Sequence, residues 1–308
     1  MKILLTGPTG FIGSAFARLA LSRGHQVAGL IIPGETIPAG LPAGESMVWL
    51  RGTLDDAPWK ELAAVGAEVC VHTAWITTPG VYLESPENFR FLESSFRFLG
   101  RVRELGTGHI VGLGTCIEYQ LAREPLSEAR TPVAPATTYA QCKNELRLKL
   151  EREAGAANFG FGWGRVFYPY GPGEHPSRLC SFIIQQLQRG ERIVLKTPGS
   201  TKDYIYIDDL AAALLTVAEK KFRGAINLAT GTGVSVREIA RQLGVLMGRA
   251  ELIAEASQPE PDPFPFVVAD AGRLRSLGWQ PRVSLEEGLA RLVRARGVAA
   301  AHRSDVSK

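Results

Sequence analysis

Lys2-Ile3-Leu4-Leu5-Thr6-Gly7-Pro8-Thr9-Gly10-Phe11-Ile12-Gly13 reads as a short buried strand that runs directly into a glycine-rich turn. From Phe11 to Ser22 the apolar residues Phe11, Ile12, Ala15, Phe16, Leu19 and Ala20 recur at helical intervals, and Gly24 ends the pattern. Each glycine of such a turn has a purpose. Gly7 permits the sharp bend, Gly10 lets backbone approach a pyrophosphate, and Gly13 lets the helix pack on the strand. The free N–H groups at the helix start then hold the anion.

Strand signals recur at 26–32, 47–50, 69–73, 110–113 and 160–167, alternating with helical patterns at 59–65, 86–105 and 138–154. This alternation predicts an α/β fold, a Rossmann-type doubly wound parallel sheet over residues 1–167. At Tyr168-Pro169-Tyr170-Gly171-Pro172-Gly173 the regularity breaks, and short strands and helices with Pro-rich connections such as 259–265 follow. Residues 168–298 therefore read as a smaller C-terminal α/β substrate domain, with segments near 203–230 returning to the first domain. The polar tail, 299–308, reads as flexible.

Composition agrees with a globular enzyme: 308 residues, 45% hydrophobic and 21% charged. A net charge of +4 with dispersed Lys and Arg gives no support for nucleic-acid binding. Met1 leads straight into the first strand and no apolar run is long enough to span a bilayer, which predicts a cytoplasmic protein with no membrane partner. Cys70, Cys116, Cys142 and Cys180 are far apart, so reduced thiols and no metal site are expected.

Tyr139 and Lys143 stand four residues apart in Thr137-Thr138-Tyr139-Ala140-Gln141-Cys142-Lys143, so a helix projects both from one face. A neighbouring ammonium stabilises a phenolate and brings a tyrosine toward the working pH range. The pair reads as a proton-transfer device.

Taken together, the glycine loop, Thr115 ahead of Tyr139 and Lys143, the Tyr170-Gly171-Pro172-Gly173 turn, Asp203-Tyr204-Ile205-Tyr206-Ile207-Asp208-Asp209, and Leu277-Gly278-Trp279-Gln280-Pro281 resemble the extended short-chain dehydrogenase/reductases. The closest branch resembles the nucleotide-sugar epimerase/dehydratase group, and the likeness runs from Lys2 to about Leu292. It implies catalytic Thr115, Tyr139 and Lys143: Thr115 holds the substrate oxygen, Tyr139 exchanges a proton with it, and Lys143 binds the nicotinamide ribose while lowering the Tyr139 pKa. It also implies cofactor contacts at Gly7, Thr9, Gly10, Phe11, Ile12, Leu54, Thr73 and Ala74.

Departures from the family pattern select among reactions. In 4,6-dehydratases an Asp and a Glu follow the Thr, whereas Cys116 and Ile117 follow Thr115, which argues against water elimination. Tyr168 replaces the usual Asn before the Tyr-Gly-Pro turn, Lys202 replaces an Arg, and Pro259 stands where a second Arg is expected, so the diphosphate clamp is weakened. Cys116, Tyr168, His175, Arg178 and Lys202 are the candidate substrate contacts, with Arg178 at a helix start suited to phosphate.

An acid at the end of the second strand suits the ribose diol of NAD, and a cation suits the 2′-phosphate of NADP. The strand ends Leu30-Ile31-Ile32-Pro33-Gly34-Glu35, with Glu35 a few residues late and no Lys or Arg between Arg23 and Arg51, which favours NAD over NADP. In 86–105, Phe89, Leu92, Phe96 and Leu99 form one apolar stripe and Phe91, Phe98, Val102 and Leu105 a second; one packs on the sheet, and the other either meets a second copy, which predicts a homodimer, or lies with the first inside a single chain's core. The reading that follows is an NAD(P)-dependent reductase of a nucleotide-linked keto sugar, for example a 4-keto-6-deoxy hexose. The alternatives are an NAD-retaining nucleotide-sugar epimerase and a non-catalytic dinucleotide-binding scaffold.

Overall fold

The computed structural model describes residues 1–38, 40–42, 44–157 and 159–297; the polar tail expected at 299–308 lies outside them. The chain begins with β1 (Lys2–Thr6), α1 (Phe11–Ser22), β2 (Gln26–Ile31), β3 (Met47–Arg51), α2 (Trp59–Val65), β4 (Val69–His72), α3 (Glu87–Glu104), β5 (His109–Thr115), α4 (Thr138–Ala157) and β6 (Gly160–Val166). It continues through β7 (Tyr168–Tyr170), α5 (Leu179–Arg189), β8 (Ile193–Leu195), β9 (Thr201–Tyr206), α6 (Ile207–Glu219) and β10 (Gly224–Leu228). The last elements are β11 (Gly233–Ser235), α7 (Val236–Leu246), β12 (Ile253–Glu255), β13 (Phe266–Val267), α8 (Gly272–Ser276) and α9 (Leu285–Ala295).

Seven strands form one parallel sheet in the order β10-β6-β5-β4-β1-β2-β3, a Rossmann-type α/β arrangement. Every residue of β4, β5 and β6 is buried, as expected where helices cover both faces. Successive side chains of β1 go to opposite faces: Ile3 and Leu5 join the core under α1 and α6, while Leu4 joins the core under α3 and α4. β10 completes the sheet beside β6, so a segment far along the chain lies next to residues 162–166.

β5 extends past the expected 110–113 on both sides, despite Gly112 and Gly114. Trp163 on β6 lies across both glycines. A Cβ at Gly112 would stand 2.6 Å from its ring, and one at Gly114 would stand 2.2 Å from Nε1. The glycines make room for the indole.

On α3 the two expected stripes do not separate into a core stripe and an interface stripe. Leu92 and Leu99 from one, and Phe98 and Val102 from the other, are all buried. The inward arc of a helix packed on both a sheet and α4 is wide enough to take from both, and Phe89 is left 58% exposed.

β7, β11 and β13 gather around β9, and β8 pairs with β12. The acids of the Asp203–Asp209 segment tie this region together. Asp203 accepts the N–H groups of Thr230, Gly231 and Ala269, and Asp209 accepts those of Arg282 and Val283. Trp279 donates its indole N–H to the Asp209 carbonyl. No helix among the described residues is long and apolar enough to cross a membrane.

Candidate active site

At the C-terminal ends of β1, β2 and β4 opens a cleft of about 740 Å³. Gly7, Thr9, Gly10, Phe11, Ile12, Glu35, Leu54, Thr73 and Ala74 all line it. The loop geometry fits a dinucleotide. A Cβ at Gly13 would sit 2.0 Å from the Gly7 carbonyl oxygen, so the helix can approach the strand only with glycine there. At Gly10 the nearest protein atom would be 3.5 Å away, so space, not internal packing, is what glycine provides on the cleft side. Thr73 closes the floor by donating its hydroxyl to the Thr6 carbonyl at 2.7 Å.

The lateness of Glu35 is resolved by a turn. The chain bends after Ile31 and brings the carboxylate back to the glycine loop, where it accepts the Thr9 hydroxyl at 2.5 Å and the Ile32 N–H at 3.3 Å.

Thr115 ends β5, and Tyr139 and Lys143 lie on α4, from which Lys143 reaches the β5 backbone; none of the three is among the residues that line the cleft. All three are buried, at 8, 9 and 3% exposure. Lys143 Nζ donates to the Leu113 carbonyl at 2.8 Å and lies 3.9 Å from the centroid of Trp75 and 5.8 Å from that of Tyr139. Burial holds this ammonium down to about 7, against the opposing pull of Glu118. Tyr139 packs edge-on against Tyr82 with centroids 4.8 Å apart.

The expectation that Lys143 acidifies Tyr139 is not met in this arrangement. Burial pushes the phenol above its ordinary value, Tyr82, Glu118 and Cys116 add to the effect, and the cation acting against it is Arg178. Desolvation outweighs a lysine that is itself desolvated. Cys116 is buried beside Thr115 and its thiol is pushed up to about 12, mainly by burial, which leaves it without nucleophilic character near neutrality.

The sequence reading missed Glu118. This fully buried acid accepts the Thr115 N–H at 2.9 Å, the Trp163 indole N–H at 3.1 Å and Arg165 Nε at 2.8 Å. Arg165 continues to the Tyr119 hydroxyl at 2.9 Å, which donates to Asn227 at 2.8 Å. The Thr-x-x-Glu spacing of a capping box at Thr115 was the available signal. Glu118 points under the strand end and is fully engaged.

On the substrate side, Arg178 immediately precedes α5 and lines the cleft together with His175, whose Nδ1 meets the Ser177 hydroxyl at 2.8 Å. Lys202 is placed differently. Its ammonium donates to Ser200 Oγ at 2.6 Å, to Asp262 at 2.9 Å and to the Phe264 carbonyl. Its charge is therefore matched within the protein, and the Tyr168 ring lies 5.6 Å away. Tyr168 in turn packs on Tyr204, with centroids 5.9 Å apart.

Known proteins resemble this chain in sequence and fold. The chain is 28% identical to a UDP-glucose 4-epimerase of Streptomyces lividans over 310 residues, 91% of each chain. It is 26% identical to a dTDP-6-deoxy-L-talose 4-dehydrogenase (NAD(+)) of Aggregatibacter actinomycetemcomitans over 239 residues, 77% of this chain and 87% of that one. The structure of the Thermus thermophilus UDP-glucose 4-epimerase, solved with NAD, superposes with a TM-score of 0.82 at 24% identity, covering 97% of this chain and 100% of that one. The profile of the NAD dependent epimerase/dehydratase family matches residues 3–229, the span that holds the glycine loop, Thr115, Tyr139 and Lys143. By that match the chain belongs to the NAD dependent epimerase/dehydratase family.

Proposed function

We propose that the protein is an NAD-dependent epimerase of a nucleotide-linked sugar, inverting one carbinol carbon by oxidation, rotation and re-reduction. The observation that carries this reading is the pairing of a Thr115–Tyr139–Lys143 site with an acid, Glu118, that is sealed beneath it by Trp163 and Arg165. Proton exchange with one hydroxyl is what such a site supports; water elimination needs further acid–base groups at the substrate. The relatives named as 4-epimerases, matched over nearly their whole length, favour this outcome over the simple reduction expected from the sequence.

When bound, NAD supplies the acceptor and donor of the hydride. The glycine loop and Glu35 would hold its adenosine half and Lys143 its nicotinamide ribose, Glu35 favouring NAD over NADP. Tyr139 exchanges the proton with the sugar hydroxyl, Thr115 steadies the oxygen, and Arg178 with His175 meets the phosphates. The cysteines remain free thiols, in keeping with a reducing cytoplasm. Phe89 and Leu148, left exposed on α3 and α4, support a homodimer paired along these helices.

The test is conversion of UDP-, dTDP-, CDP- and GDP-sugars by the purified protein with no cofactor added. An epimer formed without net change in nicotinamide absorbance is expected. Stoichiometric NADH consumption on keto sugars, with no epimerisation, would replace this reading with the reductase one, which the dTDP-6-deoxy-L-talose 4-dehydrogenase relative favours.

A further inference from the structure

We propose that Trp75 is a positioning residue of the redox site: braced by Asn88, its indole caps the Lys143 ammonium and holds it beside Tyr139 at the wall of the cofactor cleft. This rests on the reading of Tyr139 and Lys143 given above. Trp75 lines the cleft, whereas Lys143 does not. The 3.9 Å from Lys143 Nζ to the Trp75 centroid is the shortest cation-to-ring distance among the described residues.

A buried hydrogen bond fixes the orientation of the Trp75 indole. Its Nε1–H donates to Asn88 Oδ1 at 2.8 Å. Asn88 is fully buried, and its Nδ2 donates to the carbonyls of Tyr82 at 2.7 Å and Ser85 at 2.8 Å, so the amide is satisfied on both ends. The same amide thereby fixes the other catalytic side chain. The stretch it grips carries Tyr82, whose ring meets Tyr139, and Leu83, whose carbonyl accepts the Tyr139 N–H at 2.9 Å. One buried amide thus sets an aromatic against the lysine and another against the tyrosine.

The groups facing Lys143 are few. Glu118 approaches from the turn after β5, His72 from the end of β4, and Tyr139 from its own helix. Burial holds His72 down to about 3, so it is neutral at working pH, and Glu118 is paired with Arg165. Cation–π attraction and the Leu113 carbonyl are therefore what hold the ammonium in a dry setting.

The test compares wild type with Trp75→Ala and Trp75→Phe, using ¹³C-lysine NMR of the cofactor-free protein to titrate Lys143, calorimetry for NAD, and the pH profile of turnover. Opening the cap to water should raise the Lys143 titration by about one unit or more in Trp75→Ala. NAD binding should weaken roughly three- to thirtyfold, and the turnover profile should move with the lysine. Trp75→Phe, which keeps a ring face, should restore most of each. Where Trp75→Ala does not fold, Trp75→Leu keeps the site dry without the ring and should lower the titration further. A Lys143 titration within about 0.3 unit of wild type in the Ala or Leu variant, with NAD affinity unchanged, overturns the proposal. Full turnover in Tyr139→Phe would instead sink the functional reading while leaving the cap intact.

Discussion

The hydroxyl of Thr9 on the glycine loop donates to the carboxylate of Glu35 across 2.5 Å. A residue beyond the end of β2 is thereby returned to the edge of the cofactor cleft. Glu35→Ala should weaken NAD binding about ten- to a hundredfold, since a hydrogen bond to a charged group is lost. Glu35→Arg should shift preference toward NADP. Calorimetric titration with both cofactors checks this, and an unaltered NAD/NADP ratio in Glu35→Arg would refute the role.

Tyr139→Phe should reduce turnover by about 10²- to 10⁴-fold while leaving NAD affinity nearly unchanged, because only the proton donor is removed. Lys143→Ala should weaken both. Steady-state kinetics and cofactor titration on the same preparations separate the two patterns.

His72 bridges Thr6 Oγ1 at 2.8 Å and Ser95 Oγ at 2.9 Å. Burial, helped by the charge of Lys143, lowers its pKa from 6.5 to about 3. The unfolded chain therefore binds the extra proton within that window, and the folded state loses stability as pH falls from about 6.5 toward 3. Urea unfolding at about pH 7 and pH 4.5 should show a loss of roughly 2 kcal/mol from this group, and His72→Gln should flatten the slope. An equal slope in the variant would remove His72 from the acid response.

Removing Glu118 leaves Arg165 buried and uncompensated. Glu118→Ala should cost about 3–5 kcal/mol in urea denaturation, whereas Glu118→Leu combined with Arg165→Met should cost less than the single change. Additive losses would show that the pair does not act as a unit.

Arg178→Ala should raise the KM for a nucleotide sugar roughly tenfold or more with little change in NAD affinity, since it lines the cleft, where its guanidinium can meet a phosphate. Lys202→Ala should lower stability more than it alters KM, because its ammonium joins β9 to Asp262. The reverse pattern would return Lys202 to the substrate clamp.

Much of this was legible along the chain because it is local. The Gly7–Gly13 loop, the alternation of strands and helices, and the four-residue step from Tyr139 to Lys143 each depend on neighbours within a turn or two. On α3 the periodicity showed a helix, but not that its buried arc would draw from both stripes, because that width is set by what packs against it.

The sequence by itself determined the parallel sheet, the glycine cradle and the Thr115, Tyr139 and Lys143 set. Only the tertiary structure decided what surrounds them. It returned Glu35 to Thr9, laid Trp75 over Lys143, turned Glu118 beneath the strand toward Arg165, and matched Lys202 with Asp262. These partners stand tens of residues apart, so no local periodicity encodes them. Their charges and hydrogen bonds are settled by which elements the buried sheet brings side by side.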